Sequence, residues 1–510
     1  SFCSDQVLGV NITTNGGSVA ATTFNIVVNP NGLIQSAGTS SAGNGKAANE
    51  IADDAWRNIG LVPVNVVYTI TPISAAGCLG NDFTITATIN PEPVGSNSST
   101  LVCSEVPVGV TLSTSGTAVA AATYNIAVNP NGLVQSAGTP SAGVGKLANE
   151  IADDEWTNTG LLPVNVVYTI TPVSAAPESC QGDPFTVTAT INPAPVGSNS
   201  AATRCSDVAV GVNLTTSGAS VAASSYNIAV APNGLTLSAG TPSAGNGKGS
   251  NEIADDVWRN TGLNPVDVVY TIVPVSAAGC QGAAFTVTIT VNPEPVGIVD
   301  AITRCSDDVV GINIATTPGS VAADNFTIAV NANGLTLSGG TASAGAGKAA
   351  TEIADDIWRN TGLLPVDVVY TITPMSLAGC AGDPFTITVT VDPEPVGSNS
   401  NITRCSDAAV AVNLTTSAFS VAATDFDIAV NPNGLSQVGG TPSAGAGKAA
   451  NEIADDVWRN TGPASVNVVY TITPNSGVPC SGDPFTVTVT VDPEPVLSAA
   501  LNGTVCSDNI

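Results

Sequence analysis

The chain has no histidine and one methionine, Met375, in 510 residues, and only 12 Lys and Arg stand against 40 Asp and Glu, a formal charge of −28. Without imidazole there is no Ser-His-Asp triad, no Cys-His dyad and no His-ligated metal, and the commonest general base is missing. The sparse, scattered basic residues argue against nucleic acid and anionic membranes as partners. There is no run of 18 apolar residues and no signal-peptide pattern, so no membrane insertion is read in this segment.

What is present repeats. Cys-Ser-Asp, or Cys-Ser-Glu once, begins at Cys3, Cys103, Cys205, Cys305, Cys405 and Cys506, giving a period of 100 to 102 residues. Trp56, Trp156, Trp258, Trp358 and Trp458 keep the same phase, and 20 of the 22 aromatics fall at four fixed phases. A unit of about 100 residues is long enough to bury its own core, so each copy should fold as a separate bead. The beads read as 1–100, 101–202, 203–302, 303–402 and 403–502, with the start of a sixth at 503–510. Because the chain opens and closes at the same phase, it reads as a window from a longer one.

Within the third copy apolar residues alternate with small or polar ones: Val208, Val210, Val212; Tyr226, Ile228, Val230; Val266, Val268, Tyr270, Ile272; Phe285, Val287, Ile289, Val291. Period-two alternation predicts strands with one buried face. Pro232-Asn233-Gly234 should turn a tight hairpin, because Asn-Gly accepts positive φ. Asn251 to Trp258 is the one stretch that suggests a helical turn. About seven short strands per 100 residues predict an all-β chain of five immunoglobulin-like antiparallel β-sandwiches. Proline-headed connections such as Pro193 to Arg204 are semi-rigid, so the beads should form an extended rod on the order of 200 Å long.

Two cysteines occur per copy: Cys3 and Cys78, Cys103 and Cys180, Cys205 and Cys280, Cys305 and Cys380, Cys405 and Cys480. One scheme pairs them inside the copy; another joins Cys78 to Cys103, Cys180 to Cys205, and so on. If the start of the first strand and the loop before the last share a pole, the within-copy scheme meets the limit of about 7 Å between Cα atoms. Cys506 is then left without a partner. Regular disulfides imply an oxidising, extracellular compartment.

Other motifs carry less. Ser243-Ala244-Gly245-Asn246-Gly247-Lys248 resembles a phosphate loop but has Pro242 and Gly249 where Walker A needs Gly and Ser or Thr. One Lys per copy invites an isopeptide bond to Asn, against which stands its glycine-rich, solvated loop. Glu252, Asp255, Asp256 and Asp267 are the candidate ligands for Ca²⁺, which needs six to eight oxygens; junctions between beads, with Asp207 and Glu294, are another place to collect them. The competing reading is an acidic surface that keeps chains apart. The five Trp read as core anchors rather than sugar platforms. Sequons at Asn11, Asn97, Asn213, Asn325, Asn401, Asn413 and Asn502 are not at one phase in all copies and look like by-products of composition.

The run from Trp258-Arg259-Asn260-Thr261-Gly262 through Tyr270-Thr271-Ile272, the loop Cys280 and Thr290-Val291-Asn292-Pro293, repeated with small changes in all copies, resembles the PKD-like, immunoglobulin-like repeats of giant secreted surface proteins of Bacteroidota. The resemblance covers roughly the second half of each copy. It implies a β-sandwich stalk in an adhesin exported by the type IX system, including gliding adhesins of the SprB kind. The leading expectation is therefore a non-catalytic extracellular fibre or stalk on the cell surface, whose partners are its neighbouring repeats. Alternatives are a self-assembling filament, by lateral packing of other copies or by strand donation near Cys506, and glycan-binding or spacer modules of a secreted hydrolase.

Overall fold

A computed structural model describes residues 1–478 and 480–496. Every regular element among them is a strand, 35 in five sets of seven. Bead 3 serves for all. Its strands are Ser200–Cys205, Ala223–Ala231, Thr236–Ala239, Gly245–Lys248, Val257–Arg259, Val266–Ser276 and Phe285–Asn292. Five form one sheet in the order first, seventh, sixth, second, fourth, and the third and fifth form a two-stranded ribbon facing it. The long sixth strand pairs antiparallel with the second and the seventh. The first strand instead runs parallel to the seventh, with Cys205 opposite Asn292.

The alternation sets the faces. Tyr226, Ile228, Val268, Tyr270, Ile272, Phe285, Val287, Ile289 and Val291 point inward and meet Val210, Leu214, Ile253 and Trp258 from the other layer. Each such side chain contributes about 1.5–3 kcal/mol on burial. A slip of one residue in the sixth strand would turn Val268, Tyr270 and Ile272 to solvent together, so register is strongly fixed.

Four expectations change. Pro232-Asn233-Gly234 does turn the chain through positive φ at Asn233 and Gly234, but the strands it joins lie in different sheets, so it is a crossover and not a hairpin. The stretch Val208 to Leu214 is extended but forms only one isolated bridge, Ala209 to Val257, because its amides bond the turn at 250–256 instead. Asn251 to Trp258 contains three-residue turns and no helix. Ser98–Cys103 pairs with the last strand of bead 2, so bead 2's sheet begins ahead of residue 101. The sixth-copy segment 503–510, with Cys506, lies outside the described residues.

A buried polar chain ties the two layers. Trp258 Nε1 donates to the Tyr270 hydroxyl at 2.6 Å, and Tyr270 and Ser243 both donate to Asp256 Oδ2, at 2.8 and 2.7 Å. Burial raises the Asp256 pKa, opposed by the bonds from Ser243 and Tyr270; burial likewise pushes the Tyr270 phenol up. All five Trp are buried in this way. In beads 1, 2 and 5 the second carboxylate oxygen is bonded by Gln35, Gln135 or Gln437 at 2.7–2.9 Å. Beads 3 and 4 carry Leu237 and Leu337 there, and Asp256 Oδ1 and Asp356 Oδ1 have no hydrogen-bond partner. A buried acceptor left unpaired costs about 1–3 kcal/mol. Replacing Leu237 and Leu337 with Gln should stabilise beads 3 and 4 by about 1 kcal/mol each and raise their melting transition by several degrees. Calorimetry of the reduced chain checks this, and an unchanged or lowered transition contradicts it.

Candidate functional site: the junction between beads

The parallel pairing places the cysteines. The first cysteine of a copy ends the first strand and lies level with the end of the last strand, as Cys103 does opposite Asn192. The second lies in the loop before the last strand starts, as Cys180 does ahead of Phe185–Asn192. Eight residues of strand separate these levels, on the order of 27 Å, so the two cysteines of a bead occupy opposite poles. The within-copy disulfide scheme is therefore overturned, because it put the cysteine at the start of the first strand. The bridges observed are Cys3–Cys180, Cys103–Cys280, Cys205–Cys380 and Cys305–Cys480, with Cα atoms 5.3–5.4 Å apart. Each joins the first cysteine of one bead to the second cysteine of the next. Cys78 and Cys405 are the free, exposed thiols among the described residues.

Around each bridge the beads interlock by backbone. At the first junction Ser115 N donates to Val94 O at 2.8 Å and Val119 N to Gly60 O at 2.9 Å. Thr186 N donates to Asn97 Oδ1 at 2.7 Å. Two glycines permit the approach. A Cβ on Gly95 would enter the Phe185 ring, and one on Gly182 would stand 1.8 Å from the Pro93 carbonyl oxygen. The two backbone bonds and the glycine contacts recur at the other three junctions, and the asparagine bond at the second and fourth, through Asn199 and Asn399.

An ion cluster covers three of the four junctions. Arg259 of bead 3 reaches Glu294 at 3.1 Å, Asp207 at 3.7 Å, and Asp383 of bead 4. Arg57 with Asp5, Glu92 and Asp183, and Arg359 with Asp307, Glu394 and Asp483, repeat it. Three carboxylates around one guanidinium leave excess negative charge. Glu92, Glu294 and Glu394 are almost fully buried, and each is pushed up to about 7, chiefly by burial, with the neighbouring aspartates adding to it and the arginine opposing it. The second junction has Thr157, Ala194 and Ala283 in place of Arg, Glu and Asp, and keeps its disulfide.

The structure does not gather the four candidate Ca²⁺ ligands at one point. Glu252 pairs with Lys248 at 2.7 Å, and Asp255 accepts from Thr241 N and Oγ1, both at 3.2 Å. Asp256 faces the core, and Asp267 accepts from Thr290 Oγ1 at 2.6 Å on the outer sheet face. Lys248 is thus engaged by Glu252 and the Pro242 carbonyl, with no Asn at its Nζ. The carboxylates that do cluster are Asp207, Glu294 and Asp383, and Asp307, Glu394 and Asp483; both sets close on an arginine, which already supplies a cation.

The sequence reading named Asp207 and Glu294 at the junction but missed Arg259, the Asp383 of the next bead and the offset of the bridges, yet a signal for these exists. Thr157 and Ala194 replace Arg and Glu in copy 2, whereas the lost Asp is at Ala283 in copy 3; copy 2 keeps its own Asp183. Charges that disappear together across a copy boundary are partners across that boundary.

An acid whose folded pKa is raised favours the folded state below that pKa. Between the ordinary carboxylate range and about 7 the docked glutamates hold protons that the unfolded chain has released, so this contribution is lost as pH rises through 7. The chain carrying Glu92→Gln, Glu294→Gln and Glu394→Gln should therefore lose much of the fall in melting temperature seen between pH 5.5 and pH 8. Identical profiles for the variant and the parent contradict the assignment.

No curated protein matches the chain in sequence. Among solved structures, Drosophila N-cadherin EC1–4 is similar at 12% identity, covering 78% of this chain and 100% of that one, with a TM-score of 0.19. A SusE-like surface-located polysaccharide-binding protein from the Bacteroides thetaiotaomicron heparin utilisation locus matches at 10% identity over 96% of this chain and 72% of that one, with a TM-score of 0.18. The PKD-like domain family matches five times, at residues 1–93, 100–195, 202–295, 302–395 and 402–495. The chain belongs to the PKD-like domain family, as five tandem copies.

Proposed function

We propose that the beads form a load-bearing, inextensible stalk of an extracellular surface protein, and that the one-bead offset of the disulfides is what makes it so. From Cys180 the chain climbs the last strand of bead 2, crosses the linker and climbs the first strand of bead 3 to Cys205. The bridge from Cys205 to Cys380 then passes to bead 4, where the next such segment begins. Cys3–Cys180 and Cys205–Cys380 make one track, and Cys103–Cys280 and Cys305–Cys480 make a second, one bead out of step. Every interior bead is crossed by both, through its neighbouring parallel first and last strands.

Each track segment spans 25 residue steps from cysteine to cysteine, as from Cys180 to Cys205, and serves two beads. At most about 3.4 Å per residue gives on the order of 85 Å of covalent route, close to the length of two sandwiches at 35–40 Å each. Tension along the chain therefore falls on bonds that are already extended, and the other strands hang from the tracks as loops. Regular disulfides fit an oxidising exterior, and no helix of the described residues is long and apolar enough to cross a membrane. The likeness to Bacteroidota surface repeats supports an adhesin or gliding fibre as the setting.

Pulled between its ends, the oxidised chain should release about one bead's worth of length, on the order of 250 Å, and the reduced chain on the order of 1500 Å in five steps. Single-molecule force spectroscopy with and without a reductant measures this. Equal release in the two states overturns the reading.

A further inference from the structure

We propose that two junctions are Ca²⁺ sites: Asp207 and Glu294 with Asp383 between beads 3 and 4, and Asp307 and Glu394 with Asp483 between beads 4 and 5. The sites stand whether or not the stalk carries force. Among the described residues only these two sets bring three carboxylates so close, with one oxygen of each within 4.8 Å of the others. Oxygens that share a Ca²⁺ at 2.3–2.6 Å stand at most about 5.2 Å apart, so each set fits one coordination shell. The donors are all hard carboxylate oxygens, without nitrogen or sulfur, which favours Ca²⁺ over transition metals. Mg²⁺ keeps most of its water and takes one or two carboxylates, whereas three converging from two beads suit the larger, more flexible shell of Ca²⁺.

Buried oxygens in each cluster lack a directed partner. Glu294 and Glu394 are 2% and 1% exposed. Oε1 of each has no hydrogen-bond partner, and neither has Oδ2 of Asp207 or Asp307. They lie against the arginine without being bonded by it: Glu294 Oε1 is 3.1 Å from Arg259 Nη2 and Asp207 Oδ2 3.7 Å from its Nε, and Glu394 and Asp307 stand at 2.9 and 3.7 Å from Arg359. In both clusters Nη2 is directed instead at the aspartate of the next bead, Asp383 or Asp483. A guanidinium is a planar fork with fixed donor directions, so it cannot serve three carboxylates that approach from different sides. A spherical ion has no such limit.

Charge and space agree. Three ionised carboxylates around one guanidinium leave two negative charges, which Ca²⁺ cancels once the arginine has moved to the rim. Arg259 and Arg359 are 37% and 34% exposed, so their heads can reach solvent from where they stand. Beside the second cluster a recess of about 190 Å³, lined in part by Arg359, Asn399 and Asp483, has room for the waters that would complete six to eight oxygens. Since Asp383 and Asp483 come from the following bead, the ion would tie two beads together beside their disulfide. The second junction, with Ala194 and Ala283 in place of Glu and Asp, is a built-in control.

The test is a Ca²⁺ titration of the oxidised 510-residue chain at pH 8 in 0.15 M NaCl after treatment with a chelator, read by equilibrium dialysis. The expected result is two Ca²⁺ per chain with a Kd on the order of 0.1–1 mM. Glu294→Gln should bind one and the double variant Glu294→Gln, Glu394→Gln none, both remaining folded in chelator by circular dichroism. Arg259→Ser with Arg359→Ser should bind about tenfold more tightly, because the competing cation is gone. Diffuse uptake that the Gln substitutions leave unchanged overturns the proposal, since it is the ion atmosphere of an acidic surface. So does a parent chain that takes up no Ca²⁺ at 5 mM, or one from which equal Mg²⁺ displaces half of it.

Discussion

The parallel pairing of the first and last strands governs this molecule. In an antiparallel arrangement the cysteine that ends the first strand would return to the pole where the last strand begins, and a bead could close its own disulfide. Run parallel, that cysteine is carried to the far pole, where the linker leaves and the next bead starts. The bridge then has to cross the junction. The sheet order thus determines the covalent connectivity, and the connectivity determines how force can travel.

The other junction contacts support that bond without replacing it. Backbone hydrogen bonds and the two glycine approaches at Gly95 and Gly182 set the distance between beads. The arginine cluster adds orientation, but it is partly self-defeating, since three carboxylates share one guanidinium and a buried glutamate is held against its tendency to ionise. The second junction shows the order of importance: Thr157, Ala194 and Ala283 remove three of the four charges together, while Cys103 and Cys280 remain bridged. The fourth charge, Glu105, is exposed and bonded by Thr157 Oγ1, so no buried charge is stranded, which is the harmless way to lose a buried ion network.

Much of the bead was legible in the sequence because strands advertise themselves by alternation. Val268, Tyr270 and Ile272 had to share a face, and the seven-strand sandwich followed from such runs and the turns between them. What was not legible was direction. Alternation is the same for a parallel and an antiparallel neighbour, so the pole of Cys205 could not be read from its own strand, and the within-copy scheme failed on that point. The Asn233-Gly234 turn was correctly seen as a positive-φ turn, but local chemistry does not say which sheet the next strand joins. The comparison of copy 2 with the others did hold the missing information, because Ala283 lies one copy beyond Thr157.

The most direct test is the disulfide map of the native, oxidised chain. Digestion without reductant and mass spectrometry should recover Cys103 linked to Cys280 and Cys205 linked to Cys380, each pair one bead apart. Recovery of Cys205 linked to Cys280, within a single bead, would contradict both the strand order and the proposed force-carrying tracks that depend on it.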